Sequence, residues 1–460
     1  MTTEPSATPH GARRAPGPWG HPLFGSTPDL RRAPLRTMIE AWRTYGDVVR
    51  LRMGGVFVSH LLLHPDAVKR VLQDAHAQYG KVPWYNEKLK AVIGEGLFTS
   101  EGSLWLRQRR LAQPAFHRQR LALLGTVITD EVGRMLRRWQ TYVDFAQPLE
   151  VRAEMMRLTM AVVARALLGS EVRQEADEIG RAIDVSIDYT FRRMQSYFDL
   201  PGRLPLPSTR RFQGALAVLD RIVYRIIQER RASGEARDDL LDMLMSARDE
   251  ETGEGMSDRQ VHDEAMTIFL AGHETTAVAL TWTWYLLSRT PQVLERLRAE
   301  LDRVLAGRTP TVEDLPRLAY TEMVIQEALR LYPPAWLLSR RAMEDDEIAG
   351  FHIPAHTTVY LCPFITHRHP DFWENPEGVD PDRFSPERSA GRPRYAYFPF
   401  GGGPRQCIGN GFAMMEAQLA LAMMAQRYRL ELAPGQSVLL DPKITLRPRD
   451  GLMMRVRPIA

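Results

Sequence analysis

The sequence predicts a mainly α protein with small β-sheets, folded as one large domain. Three observations carry this. Long stretches with few breakers, above all Asp258 to Ser288 and most of Asp130 to Ser246, read as helices. Strand signals are short and fall near residues 48–63, 348–360 and 438–456. No Gly/Ser- or Pro-rich linker divides the chain after its N-terminus, although 460 residues exceed the usual size of a single core.

Taken in order, Met1–Ala15 holds Thr, Ser, Pro, His, Gly and Arg without an apolar run, and is expected to be a disordered tail before a domain spanning 16–460. Pro16 to Gly25 is a rigid, turn-rich entry, followed by a helix near Pro34–Tyr45. Val48–Arg52 and Val56–Leu63 read as a hairpin across Met53-Gly54-Gly55, and Pro65–Asp74 as a helix. Lys81–Ser100 mixes Pro, Trp, Gly and apolar residues and is expected to be irregular. Trp105 and Arg109 follow on a basic helix; four apart, they share a face where an indole N–H and a guanidinium can hold a carboxylate. An apolar, Pro-rich break is expected at Leu200–Pro207.

The longest helix contains Ala271-Gly272-His273-Glu274-Thr275-Thr276. Glycine inside a helix costs ~1 kcal/mol relative to alanine, and the threonine pair competes for backbone hydrogen bonds. Ile268, Ala271, Gly272, Thr275 and Ala279 fall on one face, whose small residues leave room for a flat body against the backbone. His273 is expected to be structural. Glu327 and Arg330, three apart, can pair on one helix face before Tyr332-Pro333-Pro334.

Composition excludes several classes. Two cysteines, Cys362 and Cys407, provide no disulfide framework. Net charge is +4, but no basic helix interleaved with aromatics points to nucleic acid. No apolar stretch is long enough to span a bilayer, so a soluble, cytoplasmic protein without a membrane anchor is expected, as a monomer. Cys362 lies in an apolar run and reads as a buried thiol.

Cys407 differs. It closes Phe400-Gly401-Gly402-Gly403-Pro404-Arg405-Gln406-Cys407-Ile408-Gly409, where glycines force a tight turn and a helix pattern follows at once. A thiolate beside a helix N-terminus and an arginine is stabilised. The stretch fills every fixed position of Phe-Gly-x-Gly-x-Arg-x-Cys-x-Gly and resembles the haem-binding loop of the cytochrome P-450 superfamily of haem-thiolate monooxygenases. The long helix resembles that family's distal helix, Glu327-x-x-Arg330 its Glu-x-x-Arg motif, and Pro381-Asp382-Arg383-Phe384 its Pro-x-Arg-Phe motif.

The resemblance runs from about Pro16 to the end and implies a cytochrome P-450 fold holding haem b. It implies Cys407 as the proximal iron ligand, a thiolate that favours O–O cleavage, with Phe400, Arg405 and Gly409 around it. It further implies Thr275 as the hydroxyl that steadies bound O2 and Glu274 as the proton relay, with Ala271 and Gly272 over the haem. Trp105 and Arg109 would hold one propionate and Arg340 the other, with Arg341 able to substitute; Glu327, Arg330 and Arg383 would form a buried structural network. His367-Arg368-His369 matches a stretch of relatives that bind no metal there. The expected pocket lining is Trp84, Ile93, Leu97, Ala271, Thr276, Ala335 and Leu337, mostly apolar, which suits a lipophilic substrate such as a fatty acid or a terpenoid. Gly94–Ser100 with Trp105 is similar to the fatty-acid-hydroxylating branch more than to the camphor-type branch.

The implied reaction inserts one atom of O2 into a C–H or C=C bond, with electrons from a separate ferredoxin or flavodoxin and its reductase. Of Arg107, Arg109, Arg110, Arg118 and Arg120, Arg109 would turn inward to the propionate and several of the others would offer such an acidic partner a basic patch. A peroxide-driven peroxygenase or isomerase is the alternative within the family, and a non-catalytic haem sensor the alternative outside enzymes. The intact Glu274-Thr275 pair argues against both.

Overall fold

The structure is a computed structural model and describes residues 12–54, 57–169, 176–195, 206–234, 239–249 and 251–459. Most of the expected tail and of the 200–207 break lie outside the described residues. The chain groups into two compact units.

The first unit, Met1–Pro83 with Ala335–Gly378 and Gly391–Cys407, holds most of the strands. Its five-stranded sheet runs Val48–Met53, Phe57–Leu62, Thr358–Leu361, Leu338–Ala342, Tyr79–Gly80. The expected hairpin is its first pair, antiparallel with Val48 opposite Leu62; the second and third strands are parallel. One register row, Val48, Leu62, Leu361 and Leu338, lies in the core with Val68, Val71, Leu72, Tyr395 and Phe398. Strand residues two apart share a face, so the row Arg50, His60, Val359, Arg340 lies on that same side. A smaller sheet pairs Arg13–Arg14 with Phe351–Ile353, so ordered structure starts inside the expected 1–15 tail. The expected helix at 65–74 is α-helical over Pro65–Lys69 and widens to a π turn over Arg70–Asp74. His369 Nε2 lies 3.1 Å from Asp47, and His367 Nε2 accepts the N–H of Phe398 at 2.9 Å, so both histidines brace backbone and neighbours.

The second unit, Trp84–Pro334 with Val379–Ala390 and Ile408–Ala460, is helical. Its centre is the helix Asp258–Arg289, started by a capping box between Ser257 and Gln260 and ended before Pro291, which opens the next helix. It is buried almost all round, as a central helix must be, with Trp282 stacked on Tyr332 at 4.2 Å and donating its indole N–H to Leu446 O. The helices Val151–Leu168, Pro207–Ser233, Ala319–Leu331 and Asn410–Arg427 pack on it. A small sheet joins Pro148–Glu150, Met453–Pro458 and Tyr428–Leu432, and a hairpin pairs Leu440–Pro442 with Leu446–Pro448.

Lys81–Ser100 corrects the expectation of irregular structure, since Pro83–Ile93 is a helix. Proline suits a first helical turn. The buried face is Asn86, Leu89, Val92 and Ile93, and the polar Asn86 interrupts the apolar period that would have marked it.

Candidate active site

In the first unit the Cys407 loop is shaped by close approaches that only glycine permits. Gly403 has φ +64° and sits against the Pro65–Asp74 segment; a Cβ there would lie 1.8 Å from Leu72 O. A Cβ on Gly402 would lie 2.3 Å from the Tyr395 ring. The turn closes with the Cys407 N–H donating to Phe400 O at 3.0 Å, while Arg405 Nη1 donates to Tyr79 O at 2.8 Å. The Cys407 side chain is exposed. Cys362 is its opposite: fully buried, donating to Trp336 O, its thiol pushed up to about 12 by burial. The two cysteines therefore differ in accessibility and in ease of ionisation.

The sheet register separates the two candidate propionate arginines. Leu338 faces the Cys407 loop, its Cδ1 3.8 Å from the Cβ position of Gly401. Arg340, two residues on, shares that face, and Arg341 lies on the other, with Ser339.

In the second unit the long helix is uncovered at one central stripe. Ile268, Ala271, Gly272 and Thr275 keep accessible surface, whereas His273, Glu274, Thr276, Ala277 and Val278 are buried; Ala279, expected on the open face, is buried too. Thr275 Oγ1 donates back to Ala271 O at 2.6 Å. Gly272 has a second reason to be glycine: a Cβ there would meet Val163 Cγ2 at 3.1 Å, so the residue lets the helix Val151–Leu168 pack close. His273 is buried, its pKa driven down to about 4 by burial and by Arg152, and its carbonyl accepts from Thr159 Oγ1.

Glu274 points away from the stripe, into the unit. Its Oε1 accepts from Thr445 Oγ1 at 2.9 Å and lies 3.7 Å from Arg447 Nη1. Burial raises its pKa, and Thr445 and Arg447 oppose that only in part, so the carboxyl holds a proton more readily than an ordinary glutamate. Thr445 and Arg447 were not among the expected site residues. The sequence offers them only collectively, as part of a hairpin over Lys443–Arg447 expected near the pocket.

Trp105 and Arg109 share one face of the helix Gly102–Ala112, both partly buried. The basic patch expected around them needs correction. Arg110 is paired with Asp249 at 2.9 Å and Glu251 at 2.5 Å, and Arg107 donates to Gly255 O and approaches Glu254. The acidic loop that follows Ser246 neutralises this face. Glu327, Arg330 and Arg383 lie together: Arg330 Nε and Nη2 reach Glu327 at 2.7 and 2.8 Å, Arg383 Nε lies 3.4 Å from the same carboxylate, and the Asp380 N–H donates to it. All three side chains are buried. Of the expected lining, Ile93 and Thr276 are packed in the core, Trp84 is half exposed, and Leu97, Ala335 and Leu337 are partly open.

These residues fit haem. The first unit, taken by itself, offers a soft, accessible thiol on a glycine-shaped loop and Arg340 on the sheet face toward that loop; the second, taken by itself, offers a helix stripe that is apolar apart from one hydroxyl. Comparison with known proteins agrees. The family model described as cytochrome P450 matches residues 15–456. Cyclooctatin synthase of Streptomyces melanosporofaciens is 41% identical over 97% of this chain and 96% of its own length. Pentalenene oxygenase of Streptomyces avermitilis is 36% identical, covering 93% of each. The crystal structure of the cytochrome P450DA heme domain superposes with a TM-score of 0.89 at 29% identity, over 98% of both chains. Among the described residues no helix is long and apolar enough to cross a membrane. The chain therefore belongs to the cytochrome P450 family, as a mainly α haem-thiolate monooxygenase that uses O2 and reducing equivalents from a redox partner.

Proposed function

We propose that this monooxygenase hydroxylates or epoxidises a terpenoid-like, lipophilic molecule, with Cys407 as the iron ligand. The observation that supports the site reading best is the open stripe Ile268, Ala271, Gly272, Thr275 on an otherwise buried helix. Haem, when bound, supplies oxygen activation and atom transfer. The protein's own part is to hold the thiolate, to exclude water with apolar walls, and to deliver protons. Thr275 Oγ1 is the one hydroxyl on the stripe, and Glu274, buried and more basic than usual, is the neighbouring proton reservoir, held at Oε1 by Thr445. Arg340, Trp105 and Arg109 hold the propionates in this reading. The names of the relatives favour terpenoids over fatty acids. The donor we propose is a separate ferredoxin or flavodoxin with its reductase, acting on a cytoplasmic monomer.

Thr275→Ala is expected to retain haem and substrate binding while product formed per reductant consumed falls, by about tenfold if the hydroxyl is the proton donor. Unchanged coupling would assign the hydroxyl to packing alone. Low-to-high spin shifts measured over a panel of terpene alcohols, terpene hydrocarbons and fatty acids test the substrate class; shifts with fatty acids only would overturn it. Turnover with ferredoxin and reductase, set against turnover with peroxide alone, tests the reaction class.

A further inference from the structure

The N-terminal third of the long helix carries buried carboxylates that the chemistry above does not use. Asp263 Oδ2 accepts the backbone N–H of Glu95 at 2.8 Å, and Glu264 Oε2 accepts that of Leu97 at 3.0 Å. The loop 94–97 approaches so closely only because of its glycines. A Cβ at Gly94 would lie 2.2 Å from the Asp263 carboxyl, and one at Gly96 2.2 Å from Thr267 Oγ1. Gln108 Nε2 fastens the loop from the other side through Glu95 O at 2.6 Å.

The second oxygen of Asp263 faces His262. His262 Nδ1 lies 3.0 Å from Asp263 Oδ1, and its Nε2 lies 3.0 Å from Asp220 Oδ1 on the helix Pro207–Ser233. The ring lies flat on Tyr224, 4.3 Å between centroids and 7° between planes. A neutral imidazole has one N–H; only the doubly protonated ring donates to both carboxylates.

We propose that His262 is a positioning residue: in its charged form it pins the helix Pro207–Ser233 to the long helix through Asp220 and, through Asp263, steadies the loop that carries Leu97. The link from this pin to substrate entry rests on the reading of Leu97 as pocket lining; the pin itself does not.

The groups that face the ring are Asp220 and Tyr224 from the neighbouring helix and Asp263 from its own. Arg259 and Asp258, nearer the helix start, act on Tyr224, and the Glu95 side chain turns to Lys90 at 2.9 Å. Burial by itself lowers the imidazole pKa, but the hydrogen bonds and charges of Asp220 and Asp263 outweigh it and leave it raised above 6.5. A raised folded-state pKa means that the pin is fully present at low pH and is lost as pH rises through that value. Asp220 is half exposed and can be rehydrated, so its bond is the one released. Asp263, buried, then loses the positive charge that offset its burial, which weakens the anchor of the Glu95 N–H as well.

Hydrogen exchange on the haem-loaded protein tests this. After correction for intrinsic rates, amide protection in the segment containing Glu95 and Leu97, and in the middle of the helix Pro207–Ser233, is expected to fall roughly tenfold between about pH 6 and pH 9, the worth of one charge-assisted hydrogen bond. His262→Arg should keep both segments protected across the range, and His262→Gln should leave both loose at every pH. The helix Asn410–Arg427 serves as the unchanged reference. If His262→Gln does not fold, Asp220→Ala removes the outer acceptor and should flatten the profile equally. A parent profile already flat, or one retained in these variants, overturns the proposal. Exchange is read without substrate or turnover, so its failure leaves the oxygenase reading standing, and failure of that reading leaves the pin.

Discussion

Cys407→Ser is expected to yield a folded protein whose reduced carbon monoxide complex lacks the red-shifted Soret band of thiolate-ligated haem, and whose oxygenase activity falls below detection. The effect is large because the sequence's one other thiol cannot take over: Cys362 is buried, bonded to Trp336 O, and held protonated by burial. Cys362→Ser is therefore expected to keep both the band and the activity. A band that survives loss of Cys407 would remove the central assignment. Gly403→Ala separates ligand identity from loop shape, since its Cβ has no space beside Leu72 O while the thiol is untouched; haem content should drop.

Arg330→Met is expected to be the most destabilising single change, lowering unfolding free energy by about 3–5 kcal/mol because it strands the Glu327 carboxylate in the interior. Both side chains are buried, and the carboxylate also accepts the Asp380 N–H. That is a large share of the roughly 5–15 kcal/mol by which a domain is stable, so haem retention should fall with it. Glu327→Gln combined with Arg330→Met should cost less than the sum of the single changes, because both act on the same ion pair and the loss of Arg330 no longer strands a carboxylate. Urea unfolding followed by tryptophan fluorescence measures all three. A loss below about 1 kcal/mol for Arg330→Met would mean that water reaches the network.

What was legible in the sequence is what is local in the chain. The closing bond of the Cys407 turn to Phe400 O, the bond from Thr275 back to Ala271 O and the Glu327–Arg330 pair each lie within about two helical turns, and their residue types announce the geometry. Interactions at long range were not legible. Thr445 meets Glu274 across 171 positions, and Asp220 meets His262 across 42. A single polar residue at either end has no period and no neighbour to mark it. Arg107 and Arg110 of the Gly102–Ala112 helix were read as open charges for the same reason, because the acids that pair with them lie about 140 positions later. The helix Pro83–Ile93 was missed on a different account: one buried amide, Asn86, donating to Thr99 O, stands where an apolar residue would have completed the pattern.

The strand order of the first unit sets a timetable for biosynthesis. The hairpin Val48–Leu62 is finished early, but the strand that pairs with its inner edge, Thr358–Leu361, emerges about 300 residues later. At roughly 5–20 residues per second the nascent hairpin waits about 15–60 s with that edge unpaired. An open edge is a template for association with other chains, so ribosome-bound intermediates in this window depend on chaperone cover. The thiol loop is later still, since Gly403 needs Leu72 from the start of the chain and the loop itself ends at Cys407. Haem capture through Cys407 therefore comes after the strand that covers the hairpin's edge has been made, so a chain that waits for haem can wait with its sheet already paired.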